Sequence, residues 1–288
     1  MKIRPYLNSA GICLSSLISI FGGHSAQATG ASLKDASKKN NRTSQTDKGS
    51  DTTASRTPGQ SYKPPERGRD RFPWRRNIVT TTFWIGEKPT QNNPVPNHMS
   101  SWDREWAENY GGTDTPDTSE RNAEYIPESF TPGQNPFYIA LPYNDKTITG
   151  HKPEASKVIP WFNDEFESPH KSTCKGRWIA IRYEDRIAYA QWEDVGPFRT
   201  DNWEYVFGDA RPSPNINNGA GLDVSPAVRD YLGMESSDVT DWKFVEFEEV
   251  PPGPWARYGD NNTFVQHRRI IDAATITAND VEAEVTQN

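Results

Sequence analysis

Asp194 is the residue whose position most strongly suggests chemistry. It follows the β-favouring run 187–192 and stands just before Gly196 and Pro197, which cannot continue a central strand. The sequence therefore predicts a carboxyl group at a strand end, beside a turn. Burial or a nearby carboxylate would raise its pKa toward neutrality, and a protonated carboxyl can donate its proton to a breaking glycosidic bond. The structural alternative is that Asp194 only anchors the turn by accepting backbone N–H bonds.

Asp223 is the second carboxylate predicted to lie within a strand. The run 222–224 indicates a short strand that leads into a helix, with Ser225 as the N-cap, Pro226 at the first helical position and Gly233 at the end. The apolar neighbours of Asp223 are expected to point inward. Asp223 is therefore expected to hydrogen-bond backbone within the sheet, with a catalytic role as the alternative.

Two further carboxylates are weaker catalytic candidates. Glu87 ends the β-branched and aromatic run 77–87, and Asp103 lies in a predicted helical stretch of the Pro-, Asn- and Gly-rich segment that follows. Either could supply a second carboxylate near Asp194. Glu193 precedes Asp194 along the same strand, so we expect it on the opposite face and in contact with solvent.

The two strand-end motifs together resemble a known family. Residues 194–198 read Asp-Val-Gly-Pro-Phe, and residues 221–233 read Gly-Leu-Asp-Val-Ser-Pro-Ala-Val-Arg-Asp-Tyr-Leu-Gly. This pair is similar to the Asp-Arg-Gly-Pro-Phe and Ile-Asp-Leu-Ser runs of the rare lipoprotein A group, and more distantly to expansins, barwin and family 45 endoglucanases. Val195 stands where that family has Arg, and the intervening stretch 199–220 is longer than usual. The resemblance implies a mainly β fold, a six-stranded double-psi β-barrel with one or two short helices and long loop insertions.

The resemblance also implies a protein that binds peptidoglycan and cleaves its glycan strands as a lytic transglycosylase through Asp194. One carboxyl can protonate the leaving oxygen and then take the proton of the sugar 6-hydroxyl, which closes a 1,6-anhydro ring. A glycoside hydrolase would need a second carboxylate from Asp223, Asp103 or Glu87. The alternative is a non-catalytic polysaccharide-binding or wall-loosening module with the same groove. A plant-polymer endoglucanase is disfavoured, because that class is usually disulfide-rich and Cys174 would be the sole cysteine of the mature chain.

Aromatic residues are the candidates for binding a sugar. The chain has 10 Trp and 11 Tyr, and aromatic faces pack well on the apolar CH faces of sugars. For most of these residues a place in the core is the simpler interpretation. The substrate-binding candidates are Trp84, Trp102, Tyr143, Trp192 and Phe198.

The distribution of charge argues against a nucleic-acid partner. The whole chain carries −7, yet residues 1–28 carry +2 and residues 29–76 carry 12 Lys or Arg against 5 Asp or Glu, which leaves −16 on residues 77–288. Phosphates require a basic face, which so acidic a domain lacks. The histidines show no metal-ligand spacing with one another or with Cys174. The sequence therefore predicts neither a metal site nor a cofactor.

Composition divides the chain into four parts. Residues 1–28 are typical of a secretory signal peptide, with a basic start, an apolar core too short to span a membrane and a cleavage site near Ala28. Residues 29–76 predict a disordered basic linker, 77–258 the barrel domain with its insertions, and 259–288 a loosely ordered tail. We therefore expect a monomer that is secreted to the periplasm or cell envelope, without a transmembrane segment once cleaved.

Local patterns place the elements of the predicted domain. A helix is expected within 102–110, with Ser101 as a possible cap and Gly111 past its end, in addition to the helix 226–232. The expected strands are 77–87, 137–144, 177–182, 186–192, 222–224 and 242–248.

Overall fold

The computed structural model describes residues 71–90, 93 and 95–286, so the predicted signal peptide and most of the predicted linker lie outside the described residues. The strands are β1 (Arg75–Thr82), β2 (Tyr138–Leu141), β3 (Lys146–Thr147), β4 (Gly150–His151), β5 (Trp178–Tyr183), β6 (Arg186–Val195), β7 (Leu222–Val224) and β8 (Ser237–Phe244). The α-helices are α1 (Trp106–Tyr110), α2 (Ala155–Val158), α3 (Phe162–Glu165), α4 (Trp203–Val206), α5 (Pro226–Leu232) and α6 (Thr263–Thr286).

Six of the strands close into a barrel in the order β1-β7-β2-β6-β5-β8. The pairs β1–β7 and β2–β6 are parallel, and the other four neighbouring pairs are antiparallel. The short pair β3–β4 forms a separate two-stranded sheet. The predicted mainly β fold with a closed six-stranded barrel is thus confirmed, and its mixed strand pairing is compatible with a double-psi barrel.

The unit β7–α5 forms as its sequence predicts. The Ser225 hydroxyl accepts the Val228 N–H at 3.3 Å, Pro226 begins the helix, and Gly233 ends it with a left-handed φ of 76°. The leucine and valine on either side of Asp223 are fully buried. This local unit holds Asp223 at a fixed place in the barrel wall.

The folded part begins earlier than the sequence analysis placed it. Phe72 is 7% exposed and packs edge-on against Trp161 and Phe244, with ring centroids 5.8 and 5.9 Å away. β1 then starts at Arg75, whose guanidinium donates to the Val206 carbonyl. The last residues of the predicted linker therefore belong to the core, because their aromatic side chains find partners that lie far away in the sequence.

Two other segments differ from expectation. β8 spans Ser237–Phe244 rather than 242–248, because the chain turns into a 3-10 helix, Phe247–Glu249, whose capping box joins Glu246 and Glu249. The tail expected to be loose contains α6, and Phe264 in its first turn packs on Trp178 and Phe247. Within the described residues, none of the helices combines the length and apolar character that a membrane crossing requires.

The insertion that follows β1 covers the barrel with its own small core. Its helix α1 is shorter than predicted, starts after Glu105 with no side-chain cap, and ends at Gly111 with a left-handed φ of 100°. Trp106 and Tyr110 are buried against Phe83 and Tyr138 of the barrel. This packing fixes the insertion above the strands that carry the two motifs.

Candidate active site

A cleft of about 550 Å³ contains three of the four predicted catalytic carboxylates. Asp194 reaches it from the end of β6, Asp223 from β7, and Glu87 from the segment after β1. The turn after β6, in which the peptide bond between Gly196 and Pro197 is cis, forms another wall. The insertion closes the remaining side with residues 95–97 and 99–101.

Ala140 of β2 lies between the two aspartates. It pairs in register with Asp194 on β6 and with Asp223 on β7. Neighbouring strands are about 4.8 Å apart, so the two aspartates lie in one row on either side of a single strand. A Cβ at Gly196 would lie 3.3 Å from Asp223 Oδ2, so the Asp223 carboxylate reaches over the backbone that follows Asp194. Ala140 itself lines the same cleft.

Asp194 is nearly buried, and its charged form is destabilised. Its side chain is 8% exposed, and Oδ1 accepts the Ser101 N–H at 2.8 Å. Burial raises the pKa of Asp194 to about 6, although hydrogen bonds from Ser101 and Val195 favour the carboxylate. A carboxyl with this pKa can hold a proton in mildly acidic solution and release it near neutrality. This is the behaviour required of a general acid that later acts as a base.

Asp223 is only partly exposed and has the higher pKa of the two. Its pKa is raised to about 7, chiefly by burial; a hydrogen bond donated by the Thr81 hydroxyl to Oδ1 opposes the rise, and the charges of Glu87 and Asp194 add to it. The electrostatic influence of Asp194 and Glu87 on Asp223 means that the three carboxyls titrate as coupled groups. The favoured expectation for Asp223, a hydrogen bond to sheet backbone, is not what the structure shows: its partner is a side chain, and it lines the cleft.

Glu87 is held at the edge of the cleft by two asparagines. The Nδ2 groups of Asn93 and Asn97 donate to Glu87 Oε2 at 3.1 and 2.9 Å. Burial raises the pKa of Glu87, and these two hydrogen bonds oppose the rise. Because both donors bind the same oxygen, Oε1 of Glu87 is not committed to them.

Asp103 lies outside the cleft and organises the insertion. Its carboxylate accepts from the side chains of Asn109 and Gln134 and from the Glu105 N–H, each at 3.0 Å. Burial acts to raise the pKa of Asp103, but these bonds and the charge of Lys175 outweigh it, and the net shift is downward. A carboxyl that is ionised so readily and bonded so fully is suited to holding a loop rather than to donating a proton.

Glu193 is buried, contrary to the expectation that it would be solvated. The register between β2 and β6 shifts at this residue: Ile139 pairs with Trp192, and the next residue of β2 already pairs with Asp194. This irregularity breaks the alternation of faces on which the expectation depended. Glu193 is 2% exposed with Lys175 Nζ at 4.0 Å, and burial raises its pKa to about 7.

The aromatic candidates are divided among four environments. Phe198 lines the cleft, with a left-handed φ of 56° and 40% of its surface exposed. Trp192 and Tyr143 are fully buried, so their faces are covered by protein and serve the core rather than a sugar. Trp102 is partly buried, packs edge-on against Trp192 and donates its indole N–H to Asn144 at 3.0 Å. Trp84 lines a different cavity.

Several residues of the cleft could not be recognised in the sequence. Thr81, Ser101 and Asn97 hold the three carboxylates, yet each is an ordinary polar residue in a strand or loop. Apolar side chains at its mouth, Val95 and Met99, come from the insertion and are exposed. To recognise these residues in the sequence, one would have to know which distant segments pack against β6 and β7.

No group of three or more His, Cys, Asp or Glu in the described part of the chain is arranged to hold a metal ion. Cys174 is a buried free thiol. The chain matches no model of a known protein family and no curated protein sequence. Fold and site together define the class: a closed six-stranded mixed β-barrel with a carboxylate-lined cleft.

Proposed function

We propose that this protein is a secreted envelope protein of the rare lipoprotein A type that cleaves peptidoglycan glycan strands as a lytic transglycosylase through Asp194. The observation that carries the proposal is that Asp194 lines a cleft with Asp223 and Glu87 and has a pKa raised to about 6. Mixed strand pairing compatible with a double-psi barrel supports the family, and the predicted signal peptide supports an envelope location.

The proposed reaction needs only one proton carrier. Protonated Asp194 donates its proton to the glycosidic oxygen as the bond from that oxygen to the anomeric carbon breaks. The resulting carboxylate then accepts the 6-hydroxyl proton while the 6-oxygen bonds to the anomeric carbon, which yields a 1,6-anhydro sugar and restores the acid. Because the pKa of Asp223 is raised to about 7, Asp223 holds its own proton under the conditions in which Asp194 is protonated, so both proton transfers are assigned to Asp194 alone.

The surroundings of Asp194 are consistent with both steps. The Ser101 N–H occupies Oδ1 and fixes the orientation of the carboxyl. Phe198 offers an exposed aromatic face at the same cleft, and such a face packs well on a sugar ring. Burial keeps water from screening the charges that change during the reaction.

The test is the substitution Asp194→Asn in the mature protein, assayed on purified sacculi. Asn keeps the size of the side chain and can still accept the Ser101 N–H, but it supplies no proton. Release of anhydro-muropeptides should therefore disappear while folding survives. The matched control is Asp185→Asn, the same change at an exposed aspartate in the β5–β6 turn outside the cleft. Release by Asp194→Asn at the wild-type rate contradicts the proposal.

The second candidate function is a non-catalytic polysaccharide-binding or wall-loosening module that uses the same cleft. It is favoured by the observation that one oxygen of Asp194 is engaged in a backbone hydrogen bond, as in a purely structural anchor. Wild-type protein that pellets with sacculi but releases no anhydro-muropeptides would select this function. Cellulose in place of sacculi distinguishes peptidoglycan from a plant polymer.

A further inference from the structure

Trp84 is the one tryptophan without a place in the core. All 10 Trp lie in the described residues, and the other nine belong to the two hydrophobic clusters or pack against them. The Trp84 side chain is partly buried and makes no ring contact or hydrogen bond within the described part of the chain. An indole that joins neither hydrophobic cluster and makes no internal hydrogen bond can offer its exposed part to a ligand.

Trp84 forms one wall of a groove of about 700 Å³ that is separate from the cleft. The neighbouring residue Phe83 lines the cleft, so one chain segment borders both cavities. The other walls come from residues 113–116, 119–120 and 127–129 of the insertion. We call this cavity the Trp84 groove.

The Trp84 groove is held in shape by buried polar contacts. Asp114 in its wall is fully buried, accepts the Tyr138 hydroxyl at 2.9 Å and pairs with Arg121. Arg121 also donates to the Thr115 carbonyl at 3.0 Å and forms a β-bridge with Pro127. Through Arg121, these contacts join the wall segment 113–116 to the wall segment 127–129. A ligand would therefore meet a largely preformed site.

The chemistry of the walls indicates the ligand. Beside the indole face, the groove presents the carboxylates of Glu120 and Glu128 and the hydroxyls of Ser119 and Ser129, all exposed. None of the groove's lining residues is Lys or Arg. Carboxylates and hydroxyls accept hydrogen bonds from sugar hydroxyls or amines, an indole face packs on the CH face of a pyranose, and two carboxylates repel an anion.

We propose that the Trp84 groove is a second carbohydrate-binding site, which takes a pyranose unit without negative charge from a polysaccharide. The inference rests on the proposed function only for the identity of the polymer, since the ligand class follows from the groove itself. Because Phe83 and Trp84 are neighbours in the chain and each lines one of the two cavities, a polymer of sufficient length can engage both sites. Two linked contacts raise the affinity for a long chain above that for a short one.

The experiment uses the indole N–H resonance of Trp84 in a ¹H–¹⁵N spectrum of the mature protein carrying Asp194→Asn. The resonance is assigned by its loss in Trp84→Phe. Titration with chitotetraose should shift it saturably, and Glu128→Ala should weaken that binding. Tetragalacturonate, an anionic oligosaccharide of the same length, should leave it in place. Phe198→Ala alters the cleft and should not change the dissociation constant read at Trp84.

A pelleting assay with sacculi supplies an independent measurement. Trp84→Ala should weaken pelleting about tenfold, as truncation of a central aromatic contact does. Ile148→Ala, which removes a fully exposed apolar side chain from neither cavity, should not change it. An unmoved Trp84 resonance, or an equal shift with tetragalacturonate, overturns the inference. Anhydro-muropeptide release by the wild type is scored separately, so failure of the proposed reaction and failure of the groove are distinguishable.

Discussion

Asp194 and Asp223 lie on either side of Ala140, which pairs in register with both of them. Residues opposite one another in adjacent strands present their side chains to the same face. Two carboxyls that are far apart in the chain therefore meet in one cleft, and burial is the main cause that raises both pKa values. The protonation of these two carboxyls, and its effect on the stability of the fold, can therefore be measured without a substrate.

Removing the Thr81 hydroxyl should raise the pKa of Asp223 above about 7. This hydroxyl donates to Asp223 Oδ1 and so stabilises the carboxylate. Thr81→Val nearly keeps the shape of the side chain but removes the donor. The pKa is read from the ¹³C shift of the Asp223 carboxyl during a pH titration. Thr82→Val is the control, because the Thr82 hydroxyl has no hydrogen-bond partner within the described residues; an equal shift in both variants contradicts the prediction.

The stability of the protein should depend on the protonation of Asp194. Its pKa is about 6 in the folded state and about 3.9 in an unfolded chain. The folded state therefore binds the proton more tightly, and this contribution to stability is present below pH 4 and is lost as the pH rises through 6. Asp194→Asn cannot ionise, so it should be more stable than the wild type at pH 8, by up to about 3 kcal/mol, and similar at pH 4.

Urea unfolding at both pH values gives the measurement, and Asp103 supplies a control of opposite sign. The pKa of Asp103 is lowered in the folded state, so its contribution to stability is present at neutral pH and is lost in acid. Asp103→Asn should therefore lower the free energy of unfolding at pH 8. If Asp194→Asn lowers it as well, the carboxylate of Asp194 is stabilised rather than strained by its surroundings.

Ser225→Ala should lower the free energy of unfolding by about 1 kcal/mol, because α5 loses the acceptor for the Val228 N–H. The effect should appear as a lower denaturant midpoint with an unchanged slope. Ser236→Ala, at an exposed serine before β8, is expected to leave the midpoint in place. Equal midpoints for the wild type and Ser225→Ala would show that the cap contributes nothing.

Shortening the segment before β1 should be tolerated only as far as residue 70. Composition predicts that all of residues 29–76 can be deleted without loss of stability, but the packing of Phe72 narrows the expected tolerance to 29–70. Deletion of 29–76 also removes Phe72, which is packed into the core, and the first two residues of β1, Arg75 and Arg76. Loss of a buried Phe costs about 3 kcal/mol or more, so the unfolding temperature should fall by roughly 6 to 12 °C. Equal unfolding temperatures for the two deletions would contradict this.

The local sequence was sufficient to predict an element wherever the interactions that define the element lie within one short segment. The strand, cap, proline and terminal glycine of β7–α5 form as predicted, because the interactions that define them lie within a few residues. The same is true of the β5–β6 hairpin, which turns at Glu184 with a left-handed φ of 50°. These two units carry most of both motifs, and the closed β-barrel was predicted from the resemblance of those motifs to a known family.

Only the tertiary structure decided which side chains share a cleft and which are covered. Nothing near Ala140 in the sequence shows that it pairs with two aspartates, and Glu193 is buried because the register shifts beside it. Trp192 lies in the hydrophobic core and Trp84 lines a groove, although both are tryptophans in or beside strands. The physical reason is that exposure depends on which distant segment packs against a residue, and long-range strand pairing, not local propensity, selects that segment.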